Sequence, residues 1–159
     1  WAKSIGARVI ATVGSAAKVA LAQEAGADEV IDMSAGNFAD RVKALTGGKG
    51  VDVVIDFVSH EKTLNAGAAA LGKGGRLVTL GGGAGGTITV PSRDLLSKEL
   101  MIMGSRYATK QEVLDALDIV ARGDVWPLVT DVRPMAEAEA LHQAVEKGEI
   151  TGRAALRIS

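Results

Sequence analysis

The sequence predicts an α/β protein built on a doubly wound, mostly parallel sheet. Short β-branched runs alternate with longer Ala- and Leu-rich segments, in the repeating order strand, helix, strand, helix. The 20 glycines fall at the edges of apolar runs, where turns and helix ends lie. Right-handed crossovers place the carboxyl ends of such strands along one edge of the sheet, which is where ligands bind.

Composition supports one aliphatic core and excludes several function classes. The chain has 159 residues, of which 47% are hydrophobic, and its 18 basic residues nearly balance its 19 acidic ones. No long run of like charge is present, so nothing indicates an electrostatic nucleic-acid or membrane partner. The absence of cysteine excludes disulfides and thiolate chemistry within the chain. Without a signal peptide or an apolar run of membrane length, a cytoplasmic protein is expected.

The amino-terminal half predicts alternating strands and helices. Residues 7–13 are a β-branched strand, and Ser15 is a good N-cap for a helix that runs to about Ala25 and stops at Gly26. The nearly continuous apolar run from Val51 to Phe57 is typical of a strand buried within a parallel sheet. The remaining elements expected here are the strand 29–32, the helix 37–45, the helix 62–71 and the strand 75–80.

The carboxyl-terminal half continues the pattern. The strongest helix prediction is Lys110 to Ala121, because its apolar residues are spaced for one face; these are Val113, Leu114, Leu117 and Val120. The other elements expected are short strands at 87–90 and 100–103, a helix at 135–146 and a final strand near 154–158.

One glycine-rich run matches G-x-G-x-x-G through Gly81, Gly83 and Gly86. That fingerprint needs a helix after the glycines to hold a pyrophosphate, and the β-branched segment 87–90 follows instead. The match is therefore rejected, which leaves two interpretations open: a loop whose bare backbone lets a flat ligand approach, or a plain surface turn. A second decoy at 67–74 resembles G-x-x-x-x-G-K-[ST], but Gly74 replaces the required hydroxyl and most of the segment is predicted to be helical.

Six segments, in order, resemble the cofactor-binding domain of the medium-chain dehydrogenases/reductases, the superfamily of zinc-type alcohol dehydrogenases and quinone oxidoreductases. The most specific is TGGKGVDVVID at 46–56, and the others are 2–11, 21–32, 74–81, 98–105 and 152–156. The resemblance covers nearly the whole chain and implies a Rossmann-like sheet, in strand order 3-2-1-4-5-6, that is incomplete at its N-terminal strand.

The same resemblance implies that residues 1–159 are a fragment of about half an enzyme. The first strand, the glycine turn and the catalytic domain with any zinc ligands would lie upstream, so zinc is possible in the parent but not bound by this chain. Residues of about 150–159 are implied to return toward the absent catalytic domain, which would leave the final strand without its partner.

The end of the second family strand favours NADP(H) over NAD(H) as cofactor. Val13 stands where NAD-preferring relatives carry a carboxylate, which would repel a 2′-phosphate. Ser15 and Lys18 are implied to donate to that phosphate. The alternative is that Ser15 is only an N-cap and Lys18 only a solvated lysine. Met33 departs from the pattern, because many relatives carry a tyrosine there.

The resemblance implies further cofactor contacts at later strand ends. Phe57, Val58 and Ser59 would line the ribose and nicotinamide, although core packing of Phe57 and Val58 is an equal alternative. Arg153 would reach the pyrophosphate. Backbone groups following two other strands would bind the carboxamide; these are Gly81, Gly82, Gly104, Ser105 and Arg106. His60 is expected to be a cap or surface group and His142 to be exposed, so no catalytic residue or metal ligand is predicted.

The implied parent enzyme transfers hydride between a nicotinamide and an alcohol or carbonyl, whereas the isolated fragment is expected to be inactive. Zinc alcohol dehydrogenase is favoured over a zinc-free quinone oxidoreductase by 57–59 and 104–112. A different class of function, a non-catalytic nucleotide-binding or assembly module, stays open. An S-adenosylmethionine methyltransferase is disfavoured, because no acidic residue ends the second family strand. The edge segment 87–90 further predicts a homodimer through residues 87–103.

Overall fold

The computed structural model describes residues 1–36, 38–82 and 85–158. Over these residues every paired strand runs parallel to its neighbour, which confirms the predicted α/β class. The strands are β1 (Ile10–Val13), β2 (Glu29–Asp32), β3 (Val51–Asp56), β4 (Leu71–Thr79), β5 (Met101–Gly104), β6 (Val129–Pro134) and β7 (Arg153–Arg157). The α-helices are α1 (Val19–Glu24), α2 (Phe38–Leu45), α3 (Glu61–Ala70), α4 (Ser92–Ser97), α5 (Lys110–Ala121) and α6 (Ala138–Glu146).

The chain divides into two compact units. The first unit contains Trp1–Asp32 together with the residues from Thr109 onward, and the second contains Met33–Ala108. No helix among the described residues has the length and apolarity needed to cross a membrane.

In the first unit, β1 and β2 pair in parallel from Ile10 opposite Glu29 to Val13 opposite Asp32. Strand β2 has the predicted bounds, and Ile31 at its centre is fully buried. Helix α1 ends at Glu24 and is followed by Gly26, whose φ of +95° suits glycine and confirms the predicted stop. The helix is shorter than predicted, because a 3-10 turn at Ala16–Lys18 precedes it.

The final strand does not lack a partner, so that prediction is wrong. Strand β7 pairs in parallel with β6, which lies in a stretch where no strand was predicted. The polar residues Asp131 and Arg133 obscured the strand pattern in the sequence. In the structure their side chains form an ion pair with Arg133 Nη2 2.8 Å from Asp131 Oδ2. This hydrogen bond from Arg133 lowers the pKa of the Asp131 carboxyl and allows both charges to sit half-buried in a strand.

Helix α5 has the predicted bounds and a complete capping box. The Thr109 hydroxyl accepts the backbone N–H of Glu112, and the Glu112 carboxylate accepts the backbone N–H of Thr109 at 2.7 Å. That bond from Thr109 lowers the pKa of Glu112. No residue of the helix is buried, so the predicted apolar face is more exposed than its spacing suggested.

In the second unit, three parallel strands form a sheet in the order β3-β4-β5. Helix α3 covers one face, and the buried cluster on that side contains Leu64, Ala68, Leu71, Leu77 and Leu100. Gly67 permits the close packing, because a Cβ atom there would lie 3.0 Å from Val54 Cγ1. On the opposite face Val53 and Ile55 are 43% and 48% exposed. The prediction that 51–57 is wholly buried is therefore wrong, because β3 is covered on one face within this unit.

The prediction of a strand at 87–90 is also wrong, because Thr87–Val90 adopts no regular secondary structure. The Thr89 N–H donates to the Asn65 side-chain oxygen at 2.8 Å rather than to a strand. Ile88 and Val90 pack against the buried cluster, which accounts for their apolar character. Sequence reasoning also missed α4, which begins directly after Pro91.

Strand β4 begins at Leu71, four residues earlier than predicted, and follows α3 without a loop. Gly67 lies inside α3, which agrees with the prediction that the segment 67–74 is not a phosphate-binding loop. The start predicted for α2 at Asn37 lies outside the described residues.

We expect the stability of the first unit to depend on Asp28 in acid. Lys3 Nζ donates to Asp28 Oδ1 at 2.7 Å, and the Val9 N–H donates to Oδ2 at 2.7 Å. These bonds hold the pKa of Asp28 below its ordinary value. A lowered carboxyl pKa stabilises the fold above the unfolded-state value of about 3.9 and loses that contribution as the pH falls through the folded-state pKa.

The substitution Asp28→Asn should therefore lower the free energy of unfolding at pH 7 and flatten its decline below about pH 4. Urea unfolding at a series of pH values measures both effects, with Asp118→Asn on exposed α5 as the control. An unchanged acid decline in Asp28→Asn would show that the Lys3–Asp28 pair contributes nothing.

Candidate functional site

The carboxyl ends of three neighbouring strands lie along one edge of the second unit. Asp56 of β3 is opposite Thr79 of β4, and Thr79 is opposite Gly104 of β5. The loops that follow therefore begin at the same level of the sheet. Eight of the predicted cofactor residues are in these loops or at these strand ends: Phe57, Val58, Ser59, Gly81, Gly82, Gly104, Ser105 and Arg106.

Phe57 and Val58 project at this edge instead of packing in the core. Their side chains are 72% and 59% exposed, which removes the core-packing alternative for this unit. The buried carboxylate of Asp56 holds the turn, because its Oδ1 accepts the N–H groups of Val58 and Ser59, both at 2.7 Å. Sequence reasoning missed Asp56, although an acidic residue at the end of an apolar strand was a visible signal.

Ser59 is placed differently from its two neighbours. It is only 5% exposed and has a left-handed backbone with φ of +55°. Its hydroxyl lies 2.5 Å from the Thr79 hydroxyl and donates to the Gly81 carbonyl at 2.6 Å. The hydroxyl is thus fully used in bonds within the protein, and no sequence pattern indicated its partner Thr79.

The glycine run is shaped by close backbone contacts. A Cβ atom on Gly81 would lie 2.7 Å from the Phe57 carbonyl oxygen, and one on Gly86 would lie 2.6 Å from that of Ser59. Gly82 has open space beside its Cα, so its backbone is accessible. No helix follows directly, which supports rejection of the pyrophosphate fingerprint. Gly83 of that pattern lies outside the described residues.

The loop after β5 carries a cation and an aromatic ring in contact. The Ser105 N–H donates to the Thr79 carbonyl at 3.0 Å, which continues the sheet pairing past Gly104. The Arg106 guanidinium lies 4.6 Å from the centroid of the Tyr107 ring and donates to its hydroxyl at 2.7 Å. Both side chains are exposed, and Tyr107 has a φ of +61°.

A groove of about 230 Å³ lies beside α2 and α3 in the same unit. Its lining is mainly apolar, with Met33 and Phe38 on one side and Lys62 and Ala66 on the other.

His60 is the N-cap of α3, because its Nδ1 accepts the Lys62 N–H at 3.2 Å. His142 is exposed on α6. His60 is therefore a helix cap and His142 a surface residue, as predicted from the sequence.

The other three predicted residues lie in the first unit. Ser15 stands at the predicted N-cap position with an extended backbone, before the 3-10 turn that precedes α1, but its side chain makes no capping hydrogen bond. Lys18 ends the 3-10 turn and is half-buried. Arg153 begins β7 with an exposed side chain, directly after Gly152, whose φ is +104°.

The described residues do not provide a metal site. No group of three or more His, Cys, Asp or Glu side chains in that part of the chain could hold a metal ion, and the sequence contains no cysteine. Zinc therefore has no fitting donor set among the described residues, and no chemical step is assigned to it.

Comparison with known proteins identifies the family to which this chain belongs. Residues 1–122 match the family model described as zinc-binding dehydrogenase. The chain is 31% identical over 150 residues to a quinone oxidoreductase of Rattus norvegicus, covering 91% of this chain and 45% of the relative.

Two solved structures share the fold. An NAD-dependent alcohol dehydrogenase is 34% identical with a TM-score of 0.89, covering 99% of this chain and 46% of the other. Mycobacterial Rv1454c, solved in complex with NADPH, is 31% identical with a TM-score of 0.79, covering 99% and 52%. This chain thus spans about half the length of the proteins it matches. The resemblance predicted from the sequence is confirmed: the chain belongs to the zinc-binding dehydrogenase family.

Proposed function

We propose that this chain is the NADP(H)-binding part of an alcohol dehydrogenase-like oxidoreductase that transfers hydride between a nicotinamide and an alcohol or carbonyl. The observation that carries the proposal is the shared carboxyl edge of β3, β4 and β5, where Gly104 ends β5 and Phe57 and Gly82 lie just beyond the ends of β3 and β4. Ligands of open parallel sheets bind at this edge.

The exposed groups at the edge suit a nicotinamide nucleotide. Phe57 and Val58 offer apolar surface to a ring or ribose, and Gly82 and Gly104 have no side chain to block access to their backbone groups. A bound nicotinamide would supply the hydride chemistry, and the protein residues would hold the ring in position. Arg153 would contact the pyrophosphate through its guanidinium.

Three features support NADP(H) over NAD(H). Val13 ends β1 without a carboxylate that would repel a 2′-phosphate. The Ser15 hydroxyl is not used as a helix cap, and Lys18 lies one turn further along. A relative of known structure, Rv1454c, was solved with NADPH. A hydroxyl and an ammonium together can hold a phosphate through charge-assisted hydrogen bonds.

Two alternatives stay open. A zinc-free quinone oxidoreductase using NADPH is favoured by the relative from Rattus norvegicus that carries that name. The second is a nucleotide-binding module without catalysis, since the roles proposed for Phe57, Gly82 and Gly104 are all in binding.

We also propose a homodimer through residues 87–103. Within that range Leu96 of α4 is 81% exposed, and every residue of β5 is exposed. An edge strand with apolar side chains can pair with its own copy across a two-fold axis. The partner would cover Met101 and Met103 together with Leu96.

Turnover separates the candidate reactions. The full protein carrying this chain should oxidise NADPH with aldehydes, and residues 1–159 alone should bind NADPH without turnover. Activity restricted to quinones would favour the quinone oxidoreductase. Binding without turnover in the full protein would favour the module.

The substitution Lys18→Ala tests the cofactor preference. Loss of one charge-assisted contact should raise the Kd for NADPH about tenfold and change the Kd for NADH less than about twofold. Lys43→Ala, at an exposed position of α2, is the matched control and should change neither value. An equal loss of NADH affinity would contradict a contact to the 2′-phosphate.

The substitution Leu96→Glu tests the dimer. It should shift the sedimentation of the protein from dimer to monomer, because it places a charge in an apolar contact. Trp126→Glu is the control, since Trp126 is 77% exposed outside the proposed interface. A wild-type protein that sediments as a monomer at all concentrations would refute the interface.

A further inference from the structure

Ser59 is the point where three backbone segments of the carboxyl edge meet. Its N–H donates to Asp56 Oδ1 at 2.7 Å, and its carbonyl accepts the Gly86 N–H at 3.0 Å. Its hydroxyl bonds Thr79 and donates to the carbonyl of Gly81. The hydroxyl and the carbonyl of this residue therefore connect the loop after β3 to Gly81 and Gly86, and its N–H holds the loop to Asp56.

A serine is unexpected at this backbone conformation. The φ of +55° disfavours any residue with a Cβ atom, and glycine would adopt it without steric cost. Ser59 is nevertheless buried there, and its hydroxyl makes two short hydrogen bonds. The side chain thus contributes an interaction that glycine cannot replace.

The contacts around Ser59 leave little room for the two loops to move independently. A Cβ atom on Gly81 would lie 2.7 Å from the Phe57 carbonyl oxygen and 2.8 Å from Ser59 Oγ. The backbone at Gly81 is therefore in close contact with the segment that contains Phe57 and Val58. A displacement of either loop changes the position of the other.

We propose that Ser59 is a positioning residue for the cofactor: its hydroxyl, bonded to Thr79 and Gly81, fixes the Phe57–Val58 segment against Gly81 in the arrangement that binds the nicotinamide nucleotide. This inference rests on the proposed function and changes the role expected of Ser59 from contact to support. The side chains of Phe57 and Val58 are exposed, so this segment is held by the hydrogen bond from the Val58 N–H to Asp56 and by the bonds of Ser59. Such pre-organisation lowers the entropic cost of binding.

The test compares Ser59→Ala with Thr46→Val in the full protein. The Thr46 hydroxyl makes the same kind of bridge, donating to the Val42 carbonyl at 2.8 Å and accepting the Gly50 N–H at 2.9 Å, but at the amino end of β3. Both variants should lower the Tm. Only Ser59→Ala should raise the Kd for NADPH, by about tenfold, and it should raise KM for the cofactor while leaving kcat within about threefold.

Two more variants distinguish the effect of the Ser59 hydroxyl on cofactor binding from the effect of its backbone conformation. Ser59→Gly relieves the left-handed conformation but loses the hydroxyl, and it should bind NADPH as weakly as Ser59→Ala. Thr79→Val removes one of the two bonds and preserves the Ser59–Gly81 bond, so an intermediate rise of about threefold in Kd is expected even if Ser59→Ala does not fold.

Three results would overturn the inference. The first is an unchanged Kd in Ser59→Ala or Thr79→Val, and the second is wild-type affinity in Ser59→Gly. The third is an equal rise in Kd for Thr46→Val and Ser59→Ala, since the weaker binding would then be caused by general destabilisation of the protein. Wild-type protein that binds neither NADPH nor NADH would instead refute the proposed function, and the role of Ser59 with it.

Discussion

The in-register parallel pairing of β3, β4 and β5 is the constraint on which the candidate site depends. Because Asp56, Thr79 and Gly104 lie opposite one another, three successive loops begin at one level of the sheet. Leu77 holds the middle strand in place, since it is fully buried against the side of the sheet covered by α3. Deep burial of this kind is the main source of stability in a small aliphatic core.

The loops at that edge are held by polar contacts more than by apolar ones. Asp56 closes the turn after β3, and Ser59 connects that turn to the glycine run. Gly81 and Gly86 are required because backbone atoms approach too closely for a side chain. Gly81 and Gly86 are thus explained by contacts within the protein, whereas Gly82 has open space beside it.

Sequence patterns predicted best where local signals determined the structure. Helix α5 has its N-cap Thr109 and its apolar spacing in the sequence, and β2 is a β-branched run ending before a 3-10 turn. Strand β6 escaped prediction because its charged residues neutralise each other only once the strand has formed. The segment 87–90 was wrongly predicted to be a strand, since β-branched residues can pack on a core without pairing.

The site itself was predictable in outline and not in detail. The family resemblance indicated which strand ends would carry the cofactor contacts, because the order of strands determines which ends meet. The burial of Ser59 could not be predicted, since it depends on Thr79, twenty residues away. The exposure of Val53 and Ile55 likewise follows from which face α3 covers, and the sequence of β3 does not specify that face.

Titration of the ¹⁵N-labelled protein with NADPH, followed by two-dimensional NMR, tests the central claim most directly. The account predicts saturable amide shifts concentrated at the carboxyl ends of β3, β4 and β5, at Val58, Gly82 and Gly104. Shifts confined to other surfaces, such as α6 around His142, or no saturable shifts at all, would contradict it.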